Sequence, residues 1–300
     1  MAAGKLQLLD MLTELLHDKY EDITVDVLGR DRFIDVESKF FSLLESIDPA
    51  DEWRLVERLD HLSIRKDESY YRYVGRLLDR AGAIQELVRV KLADRLDNTL
   101  DLHIEVEDSL RGVDFFRVVF QVQFLQSGSG YDPGCEHPIT PPLNGAQRLY
   151  QLFKNAILLS MIREKRLAIE DPTARRLFES LAMASMHEAQ RIMLHIMAYH
   201  ETDIRRQREL LTDVLGYAQS GGLMRITSPG GRSALDGLFM HSFDYADSAA
   251  RDLHLDELYR DKGLMLQAAL GFVVIFLSFV NSSEYWIRGI SNRGIEAAGG

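Results

Sequence analysis

The sequence predicts a mainly α protein, with an orthogonal bundle of short helices in the first third and a second helical region after it. Three observations carry this. Leu8, Leu9, Leu12, Leu15 and Leu16 recur at helical spacing and form one apolar stripe at the N-terminus. The patterns that follow are short and separated by short breaks, as in bundles whose helices cross steeply. Beyond a loop rich in Gly and Pro, residues 146–168 and 173–217 carry much longer helical patterns. The expected organisation is therefore a bundle over residues 1–112, a connecting segment and loop over 113–145, and a helical domain over 146–300.

Residues 5–22 read as the first helix, whose leucine stripe delivers His17 to its inner end. Gly29 and Arg30 interrupt the pattern. A second helix over 33–47 stops at Asp48-Pro49, and a third runs from the Asp51-Glu52 region to about His61. Asp67 precedes a helix through Arg80, and 83–103 forms the longest helix of this part. Phe116, Val118, Phe120, Val122 and Phe124 alternate with other residues as a strand does, but no partner strand is evident and a continuing helix is the alternative.

Residues 126–145 concentrate Gly, Ser and Pro, and the domain boundary is placed there. Cys135 and His137 lie within it without the second pair a zinc site needs. Further on, His187, Arg191 and His195 share a face beside Glu188, but the Glu-x-x-His spacing of metal-bearing bundles is absent. Met183, Met186, Met193 and Met197 point instead to an apolar packing surface. Residues 219–232 are Gly-rich but lack the Gly-Lys-Ser/Thr ending of a phosphate loop, so they read as a connection. His241, Asp244 and Asp247 fall at three-residue spacing, as a polar helix face. Residues 264–280 are the most apolar run. They fall short of the roughly 20 residues a membrane span needs and read as a buried helix, a membrane-contacting or oligomer-forming helix being the alternative. Residues 294–300 are expected to fray.

Composition excludes some classes of function. A net charge of −11 argues against a nucleic-acid-binding surface, whose affinity comes from Lys and Arg neutralising phosphates. The basic clusters at Arg163–Arg166 and Arg205–Arg208 are broken or bordered by Glu164 and Glu209 and read as solvated faces. One cysteine cannot form an internal disulfide, so a cytoplasmic protein is expected. The N-terminus is amphipathic and lacks the form of a signal peptide.

Two stretches carry the chemistry. Residues 15–24, LLHDKYEDIT, offer His17 and Asp18 as adjacent metal-type ligands. In a continuous helix, His17 would lie under Glu21 and Asp18 under Asp22. Residues 90–101, VKLADRLDNTLD, supply Asp94 with Asn98 on the same face and Lys91 and Arg95 flanking it. Taken alone, this second helix reads most simply as an Asp94 paired with Lys91 or Arg95.

Together and in this order, the two stretches resemble the HD superfamily of metal-dependent phosphohydrolases, in the branch of RelA/SpoT-like alarmone hydrolases. HDKYEDIT stands where that branch has HDxxEDT, with Ile23 inserted before Thr24, and KLADRLDNT stands where it has K-hydrophobic-ADRxxN. LSIRKDESYYRYV, residues 62–74, is similar to a third segment of small hydrolases of the branch. The resemblance covers roughly residues 10–105. The family places its first metal-binding His on a preceding helix, whereas no His precedes His17 here.

The resemblance implies an HD-type bundle and hydrolysis of a phosphorylated nucleotide, most specifically loss of the 3′ pyrophosphate from a guanosine alarmone. A metal would bind through His17, Asp18 and Asp94, and mixed imidazole and carboxylate ligands suit Mn²⁺. Glu21 and Asp22 match the pair that activates water and assists the leaving group. Arg65, Lys66, Lys91 and Arg95 are candidates to balance an anionic substrate, Asn98 to hydrogen-bond the nucleotide, and Tyr70, Tyr71 or Tyr73 to stack on a base. The alternative is a catalytically degenerate regulatory or scaffold protein, associated with a membrane or partner, or with its own copies, through its C-terminal helices.

Overall fold

The computed structural model describes residues 8–17, 19–65, 68–100, 143–167, 171–228, 230–245 and 247–295, excepting the side chains of Leu8, Glu21 and Asp22. The fold is mainly α. The N-terminal part comprises α1 (Leu8–Leu16), α2 (Lys19–Asp22), α3 (Val25–Leu28), α4 (Arg30–Glu45), α5 (Pro49–Leu62), α6 (Tyr70–Ala81) and α7 (Glu86–Leu100). After the gap come α8 (Gly145–Glu164), α9 (Pro172–Tyr199), α10 (Ile204–Gln219), a 3₁₀ turn at Gly222–Arg225, α11 (Leu238–Ser242), α12 (Ser248–Arg260) and α13 (Lys262–Asn281). The strand-like pattern of 116–124 and most of the 126–145 loop lie outside the described residues.

Helix starts follow the side chains that cap them. Asp48 accepts from the Ala50 amide with Pro49 in the first turn, Ser69 accepts from Arg72, and Asn144 and Gln147 form a reciprocal capping box. The expected single helix over 5–22 is instead broken at His17. The His17 ring binds the Glu14 carbonyl at 2.6 Å, occupying an acceptor near the end of α1. His17 therefore does not sit under Glu21 on one helix, and Glu21 belongs to the separate α2. Gly29, at φ 75°, then joins α3 to α4, a conformation glycine adopts without strain.

The helical patterns over 173–217 resolve into two helices, α9 and α10. Asp203 caps α10 by accepting from the Arg205 amide at 2.8 Å, which favours a fresh start over continuation of α9. His241, Asp244 and Asp247 likewise do not share a helix face, because α11 ends at Ser242 and Asp247 is the N-cap of α12.

Two apolar clusters hold the helices. The smaller joins Leu9, Phe40, Leu44, Leu55 and Leu59 from α1, α4 and α5. The larger begins at Leu62 and continues through α6 and α7 into α8, α9 and the C-terminal helices, so helices from both sides of the expected boundary share one core. Phe153 on α8 lies near its centre, 5.0 Å from the Phe239 ring and 5.2 Å from Phe243. Helix α13 packs chiefly against α9 and buries Leu266, Phe272, Ile275, Phe276 and Phe279. Among the described residues it is the one helix long and apolar enough to cross a membrane, and just over half of that stretch is buried in the protein. After α13, Ile290–Ser291 (β1) pairs antiparallel with Gly294–Ile295 (β2), so the expected fraying does not reach the first two residues of 294–300.

Candidate functional site

Helix α7 carries the site's anchor. Asp94 is buried on it, one helical turn after Lys91, and the Lys91 ammonium lies 2.6 Å from Asp94 Oδ2. The other oxygen, Oδ1, accepts from Asn98 Nδ2 at 2.6 Å and meets His17 Nε2 at 3.2 Å. Residues 77 positions apart thus come into direct contact. The pairing of Asp94 with Lys91 that the helix alone suggests is present, and so is the convergence on His17 that the two motifs require.

The polarity of these contacts fixes their chemistry. The Glu14 carbonyl can only accept, so His17 Nδ1 carries a hydrogen; a hydrogen bond from Nε2 to the ionised Asp94 needs a second hydrogen on the ring, which a bound cation would displace. An imidazole oriented by a backbone carbonyl, with its other nitrogen beside a carboxylate, has the arrangement that orients metal-ligating histidines. Burial by itself would push the Asp94 carboxyl up. Lys91, the His17 hydrogen bond and Arg95 outweigh burial and hold it well below the usual carboxylate range. Burial likewise works against the Lys91 ammonium, but Tyr73, Asp94 and Tyr70 hold its pKa above the ordinary lysine range.

These donors, one imidazole nitrogen and one ionised carboxylate, suit a divalent cation. Asp18, the third expected ligand, lies outside the described residues, as do Lys66 and the side chains of Glu21 and Asp22. Among the described residues no three His, Cys, Asp or Glu side chains gather closely enough to hold a metal. Arg65 is exposed, pairs with Asp60 at 3.4 Å, and is not among the residues lining the cleft.

Asp94, Lys91, Arg95 and Asn98 line one wall of a cleft of about 660 Å³. Tyr70 and Tyr71 enter it from α6, Tyr150, Gln151 and Lys154 from α8, and Arg251 from α12. Phe153 and Phe243 supply apolar lining. Tyr73, the third tyrosine considered for base stacking, is instead fully buried and donates its hydroxyl to the Leu62 carbonyl. Arg95 turns away from Asp94, donating to Asn155 Oδ1 at 2.8 Å and to the Gln151 side chain at 3.2 Å. A larger hollow of about 900 Å³ lies between α10 and the start of α13. It holds none of the sequence-derived site residues, and its Asp236 is already engaged by Arg225 at 3.0 Å and Tyr217 at 2.9 Å.

Sequence reasoning missed two features. One is Glu14, whose Oε2 is buried without a hydrogen-bond partner among the described residues. Burial raises its pKa to about 7, with His17 pulling it down and Asp94 pushing it up. Its place one turn before His17, beside the leucine stripe, was the available signal. The other is the far wall with Lys154 and Arg251, which lies outside the resembling segment and has no motif. No protein-family model, curated protein or solved structure matches this chain.

Proposed function

We propose that this protein is a metal-dependent phosphohydrolase of HD type acting on a phosphorylated nucleotide, with 3′-pyrophosphorylated guanosine nucleotides as the leading substrate class. The observation that carries this reading is the contact of His17 with Asp94 beside a cleft lined by cations and tyrosines. Two motifs read separately in the sequence meet where such a site requires them to meet.

His17, Asp18 and Asp94 would hold the cation, with Mn²⁺ as the working choice. A bound divalent metal supplies Lewis acidity, making water more acidic and polarising a phosphoryl group. The chain's own residues prepare that role. Lys91 keeps Asp94 ionised, Asn98 fixes its Oδ1, and the Glu14 carbonyl sets the His17 tautomer. Glu21 and Asp22 take the proton-handling roles that the resemblance assigns to them. Lys91 and Arg95 offset the negative charge brought by the substrate, and Tyr70 offers a ring face to a base.

The test is metal content measured together with release of phosphate or pyrophosphate from a panel of nucleotides with added Mn²⁺, for wild type, Asp18→Ala, Asp94→Ala and Glu21→Gln. The first two variants should lose turnover, while Glu21→Gln should keep metal and turn over slowly. Wild-type turnover in all three would mean the site is misassigned. A second reading is a non-catalytic regulatory or scaffold protein, supported by the absence of a three-ligand cluster among the described residues. Absence of both metal and release in the wild type would favour it.

A further inference from the structure

The cations lining the cleft differ in how their charge is balanced. On the α7 wall, Lys91 is matched by Asp94 at 2.6 Å. Two other cations have no such match. Arg95 donates from Nε and one terminal nitrogen to the neutral oxygens of Asn155 and Gln151, which cancel none of its charge. Lys154, half-buried on α8, makes no hydrogen bond or ion pair with the described residues. Its ammonium sits over the Tyr150 ring at 5.3 Å and the Tyr70 ring at 5.9 Å. Arg251, on α12, lies 5.2 Å from the Tyr150 ring, with an ion pair of 3.4 Å to exposed Asp252.

The acids of the cleft do not repair this imbalance. Asp94 is committed to Lys91, and Glu68 to Arg76 at 2.8 Å. Asp244, whose pKa burial raises, neighbours Tyr71 and forms no ion pair with Lys154 or Arg95. Burial and the like charges of Arg95 and Lys91 hold the Lys154 pKa well below the ordinary lysine range. Tyr70 also lines the cleft, and its hydroxyl is buried with no hydrogen-bond partner among the described residues. Uncompensated cations and an unused donor around one cavity are the complement of a polyanion with several acceptor oxygens.

We propose that the part of the cleft between α7 and α8 is a phosphate subsite, in which Lys154 from α8 and Arg95 from α7 take the charge of a phosphate or pyrophosphate group, the Tyr70 hydroxyl donates to it, and Arg251 adds positive charge from α12. Lys154 and Arg251 belong to the C-terminal part of the chain, so the second helical region completes the substrate cleft of the first. The role of this subsite in turnover rests on the phosphohydrolase reading; anion binding does not. A charge-assisted contact to the phosphoryl group accounts for Lys154 being where it is otherwise unfavourable.

Calorimetric titration of the full chain with inorganic pyrophosphate in metal-depleted buffer tests this directly. Wild type should bind, Lys154→Met should weaken binding by about tenfold or more, and Lys154→Arg should recover most of the loss. Arg251→Gln should weaken it less. Circular dichroism and thermal unfolding establish that each variant is folded. Equal affinity in wild type and Lys154→Met, or no binding by wild type at millimolar pyrophosphate, would overturn the subsite. The two proposals fail separately: pyrophosphate binding without nucleotide turnover sinks only the hydrolase reading, whereas turnover with an unchanged KM in Lys154→Met sinks only the subsite.

Discussion

Lys91 and Lys154 face the same cleft from opposite helices, yet their pKa values move in opposite directions. Lys91 is held above the lysine range, whereas Lys154 falls well below it. Burial penalises both ammonium groups. Both lie over tyrosine rings; the difference is that Lys91 has the Asp94 carboxylate at 2.6 Å, while Lys154 stands among three other cations, Arg95, Lys91 and Arg251. A buried charge with its counter-charge on the next turn is a finished structural unit. One without is costly unless something arrives to meet it, and this contrast separates the pair that organises the site from the cation that receives a ligand.

The sharpest way to break the contrast is to give Lys91 the environment of Lys154. Asp94→Ala leaves a buried ammonium without its carboxylate and removes the partner of His17 and Asn98. Unfolding by urea at neutral pH should show a loss of about 3–5 kcal/mol, the range for orphaning one partner of a buried ion pair. A loss below about 1 kcal/mol would mean that water reaches Lys91 and that the pair behaves as a surface one.

Acid should erase that same difference. The folded-state pKa of Asp94 is depressed, so the carboxylate contributes its full stability above the unfolded value of about 3.9 and loses it as pH falls through the folded pKa. The gap between wild type and Asp94→Ala should therefore hold steady from neutral pH to about 5 and narrow below about 4. A gap that stays constant on acidification would show that the destabilisation comes from packing and not from charge.

A third variant probes how Arg95 is held between the walls. Asn155 is buried, accepts from Arg95, and donates to Thr99 Oγ1 and Ser185 Oγ at 2.9 Å each, tying α7, α8 and α9 together. Asn155→Ala should cost about 1–3 kcal/mol, since it leaves a buried donor and hydroxyls short of partners. If thermal unfolding of the variant matches wild type, the network is replaceable by water.

The sequence made some of this legible and not the rest, for physical reasons. Helical class followed from apolar periodicity, because a helix must bury one stripe and the leucines of α1 and the aliphatics of α6 to α9 declare theirs. Asp94, Lys91 and Asn98 were legible as a set because one turn of helix places them together. The break at His17 was not, since it depends on a ring bonding to a carbonyl three residues back, which residue type and spacing do not distinguish from a continuing helix. Lys154 and Arg251 were invisible for a different reason: each is an ordinary cation on its own helix, and only the packing of α8 against α7 and of α12 against α8 makes them neighbours of the site.

The finest measurement concerns the proton on Lys154. Because its folded pKa is lowered, the folded chain releases that proton at a lower pH than the unfolded chain does. Between that folded value and the unfolded one of about 10.4, the unfolded state binds more protons, and stability rises with pH. The cost of the charged Lys154 is therefore greatest at low pH and vanishes above the unfolded pKa. Lys154→Met removes the cost at every pH while keeping a flexible apolar stem. The variant should be more stable than wild type at neutral pH, and the two should converge as pH approaches about 10, with shared titrations of Tyr and other Lys cancelling in the difference. Urea unfolding of both at about pH 7, 8.5 and 10 reads this out. A difference independent of pH would place the effect in packing alone and make Lys154 an ordinary solvated lysine, which would also remove the contrast with Lys91.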